Sequence, residues 1–169
     1  MGYLGFLGIR YDPKYGGQGL DYWYDLVFLE ELGHIQGFGL PIAIAVQTHM
    51  ATPAINDRVV FGKPLIKRQA LQHRLAEWLM EAGCLKQLTY HIVRMKEAGL
   101  DATKEITMGK LKTAHLVQEV TTGCMQMHGG MGFMDEMLIT RYFRDARVIS
   151  VGGGADEVMC NVIAKMEGY

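Results

Sequence analysis

Cysteine is scarce in this chain of 169 residues, which carries only Cys84, Cys124 and Cys160. An odd number at wide spacing suggests neither a disulfide framework nor a zinc knuckle, and fits a reducing compartment. All three are expected to be buried, behaving as small hydrophobes. Charge of one sign is also lacking. Lys plus Arg is 17 and Asp plus Glu is 18, for a net charge of −1. No bulk attraction to nucleic acid or to an anionic membrane follows. Long apolar runs are missing too. The longest uncharged one, Gly37 to Val46, falls short of the roughly 20 residues that span a bilayer. The N-terminal Met1 to Ile9 has no positive residue ahead of its apolar stretch, so it reads neither as a signal peptide nor as an Arg/Ser-rich transit peptide. Phe6 stands where a myristoylation signal needs Ser or Thr. The six histidines, His34, His49, His73, His91, His115 and His128, form no metal-binding spacing. No Gly-x-Ser-x-Gly or Cys/His nucleophile pattern occurs, and there is no repeat or low-complexity tract.

What the chain does have is a globular composition, 49% hydrophobic and 21% charged. A chain of this length buries roughly 70% of its unfolded surface, enough for a core without staples. Glycine is in excess, at 21 residues, or about 12% against an average near 7%. Methionine is abundant at 12. It serves as filler between helices, or alternatively as the lining of a pocket for a long apolar tail.

The apolar periodicity is helical throughout, and strand-like alternation is almost absent. Asp21 is an N-cap for a helix from Tyr22 to Leu32, and a second helix is predicted from Gly37 to Thr52. Pro64 is expected to open a long helix whose stripe is Leu71, Leu75, Trp78, Ala82, Leu85, Leu88, Ile92 and Met95, with Gly83 a possible kink and Gly99 the stop. Asp101 caps a further helix with the face Ile106, Gly109, Leu116, Val120, Gly123 and Met127, ending at His128-Gly129-Gly130. Shorter helices follow over Leu138 to Arg147 and Ala155 to Met166. The fold class is all-α, an antiparallel helix bundle.

Three features carry chemistry. Gly152-Gly153-Gly154 precedes a helix whose free N–H groups suit an anion, although Asp156 and Glu157 already meet the helix dipole there. A plain inter-helix turn explains the same string. In Gln126-Met127-His128-Gly129-Gly130-Met131-Gly132-Phe133, glycines at a helix end let backbone approach a planar group. The strand context of a dinucleotide fingerprint is absent. In Arg58-Val59-Val60-Phe61-Gly62-Lys63-Pro64, an arginine and an aromatic could grip a pyrophosphate and a ring.

Taken in order, these strings resemble the acyl-CoA dehydrogenase family. Arg58 to Gln69 is similar to its Arg-x-x-Phe-Gly-Lys-Pro-Leu…Gln segment, and Gln126 to Phe133 to its Gln-x-x-Gly-Gly-x-Gly motif. Arg141 to Arg147 precedes Gly153 to Val158 as the family's Arg-x-x-Arg-Asp-Ala precedes its Gly-Thr-x-Glu-Ile-like turn. Leu7 to Leu32, with Tyr15-Gly16-Gly17-Gln18-Gly19-Leu20 and Glu30-Glu31-Leu32, is similar to its N-terminal helical domain. The implied division is a partial N-terminal helical segment over 1–55 and a C-terminal four-helix domain over 56–169.

The resemblance implies FAD-dependent oxidation of acyl-CoA thioesters to 2-enoyl-CoA. A carboxylate takes the α-proton, and the flavin accepts the β-hydride. Arg58, Phe61 and Gln69 would contact FAD phosphates and adenine. Gln126, Met127, His128, Gly129 and Gly130 would approach FAD from a neighbouring subunit. Ala155, Asp156 and Glu157 would sit by the nucleotide end. The implied context is a mitochondrial matrix homo-oligomer, dimer or tetramer, with a cytoplasmic setting as the alternative.

Three departures stand out. Gly153 occupies the position where many members carry the catalytic Glu, so no catalytic base is assigned. The family's central β-domain would fall between Ile55 and Asn56, but the N-terminal-like and C-terminal-like strings meet there directly, so that domain is read as missing at the junction. Ala155 also replaces the usual Thr at a helix cap. The chain by itself is therefore expected to lack turnover. The competing reading is a non-catalytic helical module that pairs with full-length subunits.

Overall fold

The computed structural model describes residues 9–10, 12–15, 17–32, 55 and 58–169. Helix α1 is Tyr22–Leu32; strands β1, Val59–Val60, and β2, Lys63–Pro64, form an antiparallel hairpin. Helix α2 is Gln69–Glu97, α3 Thr103–His128, α4 Leu138–Val151 and α5 Asp156–Glu167. Among the described residues the hairpin is the only sheet, and the all-α expectation holds. The helix expected over 37–52 lies outside the described residues.

Helix α3 is the axis of the bundle, because its apolar and small residues repeat on more than one face. Gly109, Thr113, Ala114, Leu116, Val117, Val120, Gly123, Cys124 and Met127 are all buried. Helix α2 runs antiparallel to it: Glu81 pairs with Lys112 at 2.6 Å, Trp78 with Glu119, and Gly109 faces Ile92. Helix α5 is antiparallel on another side, held by Lys104–Glu167 at 2.9 Å. Helix α4 adds Ile139, Tyr142 and Ala146 to a core centred on Trp78, which is 1% exposed, and Ile55 joins it from the N-terminal side.

The helix boundaries follow local chemistry. Asp21 Oδ1 accepts hydrogen bonds from the Trp23 and Tyr24 N–H groups at 2.9 and 3.3 Å, the N-cap role the sequence predicts. Gly99, at φ +71, closes α2: its N–H donates to Lys96 O and that of Leu100 to Met95 O. Gly83 produces no break in α2, which is continuous from Gln69 to Glu97.

Several expectations are corrected. Pro64 does not start α2. It lies in β2 with extended backbone, because the Leu65 N–H donates to Arg58 O at 2.8 Å and ties the chain into the hairpin. A short turn of 3-10 helix follows before Gln69. Asp101 is one residue early. Ala102 takes the cap position with its methyl fully buried, while Asp101 Oδ1 accepts bonds from Thr103 N and Oγ1. Those bonds hold the Asp101 carboxyl below its ordinary range. Ile106 is exposed, not core, and α4 continues to Val151. Cys124 alone is buried; Cys84 and Cys160 are exposed. Methionines divide the same way, with Met127 in the core and Met80, Met131 and Met134 exposed.

Candidate functional site

The Arg58 string and the glycine motif, 69 residues apart, meet at the C-terminal end of α3. The hairpin tip is a two-residue loop, Phe61–Gly62, with φ +50 and +72. Positive φ at both central residues is the type I′ requirement, normally met by Asn or Gly. Phe61 is the one non-glycine residue with positive φ among those described, and it is 94% exposed. A bulky side chain in that region is strained. The tip therefore holds an aromatic ring in solvent against both its conformational and its hydrophobic preference.

Arg58, at the base of the hairpin, is half-buried. Its guanidinium donates to Met127 O at 2.7 Å and packs on Gly129. A Cβ on Gly129 would stand 2.4 Å from both terminal nitrogens of Arg58. With φ +62 as well, a side chain at position 129 would be strained and would have to displace the Arg58 guanidinium. Gly130 differs, since a Cβ there meets nothing within 4 Å. Gly132 is buried, with its notional Cβ 2.5 Å from Met125 O. Thr140 Oγ1 donates to Gly132 O and Met134 O at 2.9 and 2.8 Å, which pins the turn to α4.

Of the predicted residues here, Met127 offers its carbonyl while its side chain lies in the core. His128 Nδ1 donates to Cys124 O at 2.8 Å, which sets its tautomer. Gln126 and Gln69 are exposed, Gln69 as the first residue of α2. Arg68, which the sequence reading passed over, donates to Val60 O at 2.8 Å and supports the hairpin from behind. Only a flanking Val-Val before Phe-Gly hinted at that hairpin.

Ala155, Asp156 and Glu157 form a second group. Ala155 caps α5 without a side-chain hydrogen bond. Asp156 Oδ2 is 3.5 Å from His115 Nε2, and its Oδ1 is 3.8 Å from Lys110 Nζ with no hydrogen bond although buried. Lys110 Nζ instead donates to Gly154 O. No local sequence signal points to Lys110 or His115, because their partners lie some 40 residues on. Along α3, position 115 is roughly 18 Å from position 127 at a rise of 1.5 Å per residue. The structure thus brings Arg58, Phe61 and the glycine motif together and sets Ala155–Glu157 apart from them.

Gly153 has φ +67, is exposed, and has open space where a Cβ would project. It holds no group that could take a proton. Among the described residues no three His, Cys, Asp or Glu gather as for a metal ion, and no helix is long and apolar enough to cross a membrane.

The first group fits a nucleotide such as FAD. It offers a guanidinium for phosphate, open backbone at Gly130 and an exposed ring. The second group fits less well, since its helix end already faces two carboxylates of its own.

Residues 43–167 match the family model for the C-terminal domain of acyl-CoA dehydrogenase, and residues 1–78 that for its N-terminal domain. The mitochondrial short/branched chain specific acyl-CoA dehydrogenase of Bos taurus is 33% identical, over 67% of this chain and 26% of its own. A probable acyl-CoA dehydrogenase of Bacillus subtilis, YngJ, is 31% identical, over 79% of this chain and 35% of its own. The butyryl-CoA dehydrogenase of Megasphaera elsdenii superposes with a TM-score of 0.71 at 30% identity, over 76% of this chain and 33% of that one. The chain thus spans about a quarter to a third of the length of these relatives. Matches to both helical domains, with the arginine and glycine motifs meeting in space, place this chain in the acyl-CoA dehydrogenase family.

Proposed function

We propose that this chain belongs to flavin-dependent oxidation of acyl-CoA thioesters to 2-enoyl-CoA, and that it carries the nucleotide-holding part of that machinery without its base. The observation that carries the reading is the Arg58 guanidinium seated on Gly129 beside Met127 O. Bound FAD supplies the acceptor for the electrons of oxidation. Arg58 would meet phosphate, while Phe61, Gln69 and Gln126 would lie along the nucleotide. Gln126 to Gly130 would face a cofactor shared with a neighbouring copy. Positions 1–55 and 56–169 act as the N-terminal-like and C-terminal-like parts. At Gly153 no side chain can abstract a proton. The mitochondrial relative supports a matrix location, and the bacterial one supports the cytoplasmic alternative to the same degree.

The test is an electron-acceptor assay on the purified chain with FAD and acyl-CoAs of several lengths. Flavin should stay with the protein through gel filtration while no acceptor is reduced. Reduction at any chain length defeats the proposed inactivity, and a flavin-free protein defeats the cofactor reading. A second reading, a non-catalytic module pairing with full-length subunits, is favoured by α5. That helix has no buried residue and leaves Val158 and Met166 exposed. Co-purification with a full-length family member would support it.

A further inference from the structure

We propose that Arg58 is a positioning residue whose first partner is the protein itself: it latches the Val59–Pro64 hairpin, and with it the Phe61 ring, onto the glycine turn at the end of α3. The significance of the latch for a nucleotide rests on the flavin reading above, but its existence does not.

The hairpin is too small to stand alone. It has two residues per strand, a strained tip and no buried side chain. A two-stranded hairpin without a packed face is marginal in water. Its internal bonds, Leu65 N–H to Arg58 O and Arg68 to Val60 O, close it on itself and onto the start of α2. Among the described residues, the hydrogen bond that ties it to α3 is Arg58 to Met127 O at 2.7 Å. A bond from a guanidinium to a carbonyl freed at a helix C-terminus is charge-assisted and favoured by the helix dipole. Gly129 makes the geometry possible, because any side chain there would occupy the guanidinium's place. The arginine and this glycine therefore act as one unit. With the latch closed, the guanidinium and the phenyl ring are set at a fixed separation before a ligand arrives. That spares the ordering cost that binding would otherwise carry.

The test is hydrogen exchange on the full chain without added nucleotide, comparing Arg58→Gln, Gly129→Ala and Gly130→Ala. Amides of residues 60–63 and 65 should exchange about ten-fold faster or more in the first two, the scale of one lost charge-assisted bond. Amides of α3 and α4 should keep their protection, which shows that the fold survives. Gly130→Ala, with open space at its Cβ, should leave the hairpin unchanged. The inference is overturned if residues 60–65 are unaffected in both latch variants. It is equally overturned if Gly130→Ala loosens them as much as Gly129→Ala, since turn strain alone would then be the cause. Flavin retention by the Arg58→Gln and Gly129→Ala proteins is read separately. A loosened hairpin in a chain that never binds FAD sinks the cofactor reading and leaves the latch standing. Lost FAD binding with an unchanged hairpin does the reverse.

Discussion

Cys124 lies in the core against the Trp78 side of α3, and burial raises its thiol from an ordinary 9.0 to about 12, against a smaller opposing pull from Arg74. A thiol-labelling titration of the native chain should therefore modify Cys84 and Cys160 and spare Cys124 until the protein unfolds. The pH consequence has a definite sign. The folded chain holds this proton more tightly than the unfolded one, so the contribution is intact below about pH 9 and is lost as pH rises toward 12. Urea melts of the native chain should weaken across that window, and Cys124→Ala should flatten the slope. Equal slopes in the two proteins would show that the thiol plays no part. Cysteine spacing alone does not separate these three sites, but the helix period does. Cys124 follows Val120 by four residues and shares its face, whereas Cys84 follows buried Ala82 by two and points away. Cys160 sits on α5, no residue of which is fully buried.

Two glycines inside helices make the corresponding argument at the scale of the element. Gly83 is exposed in the middle of α2, with nothing within 4 Å of a notional Cβ. Gly83→Ala should stabilise the chain by about 0.5–1 kcal/mol by restricting the unfolded state, seen as a rise in Tm of about 1–4 °C. Gly123, on the facing helix, is the opposite case. A Cβ there would stand 2.4 Å from Trp78 Cη2. The indole has nowhere to go, with Nε1 donating to Glu119 at 2.9 Å and the Arg74 guanidinium 5.2 Å above the ring. Gly123→Ala should cost about 1–3 kcal/mol by overpacking, and a melt equal to that of the native chain would show that α2 and α3 can slide apart. The long helices were legible because their stripes persist over many turns, and Gly99 ended α2 where a glycine in the left-handed region should. The hairpin was not legible. Its strands have two residues each, too few to show a period, and Pro64 reads equally well as a helix opener until the Leu65 to Arg58 bond is known.

On the scale of the whole molecule, the candidate site falls into two groups along α3, Arg58 with the glycine turn near position 127 and Ala155–Glu157 beside Lys110 and His115. Sequence motifs identified both groups, but their separation, roughly 18 Å along the helix between positions 115 and 127, depends on the antiparallel packing of α5 and so on tertiary structure. If a flavin site is completed by two copies, one donates the arginine group and its neighbour the α5 group. Flavin affinity should then rise with chain concentration, because binding is linked to association. Mixing supplies the sharper measurement. Chains bearing Arg58→Gln and chains bearing Ala155→Glu, which sets a third carboxylate at the start of α5, should each fail to retain FAD. In an equimolar mixture, half the dimers are mixed and each has one intact site of two, so about a quarter of native flavin content should return. Ala155→Glu chains that bind fully alone would confine the site to the Arg58 group. A mixture with no recovery would mean that both groups act within a single chain, and the shared-site arrangement would then fall.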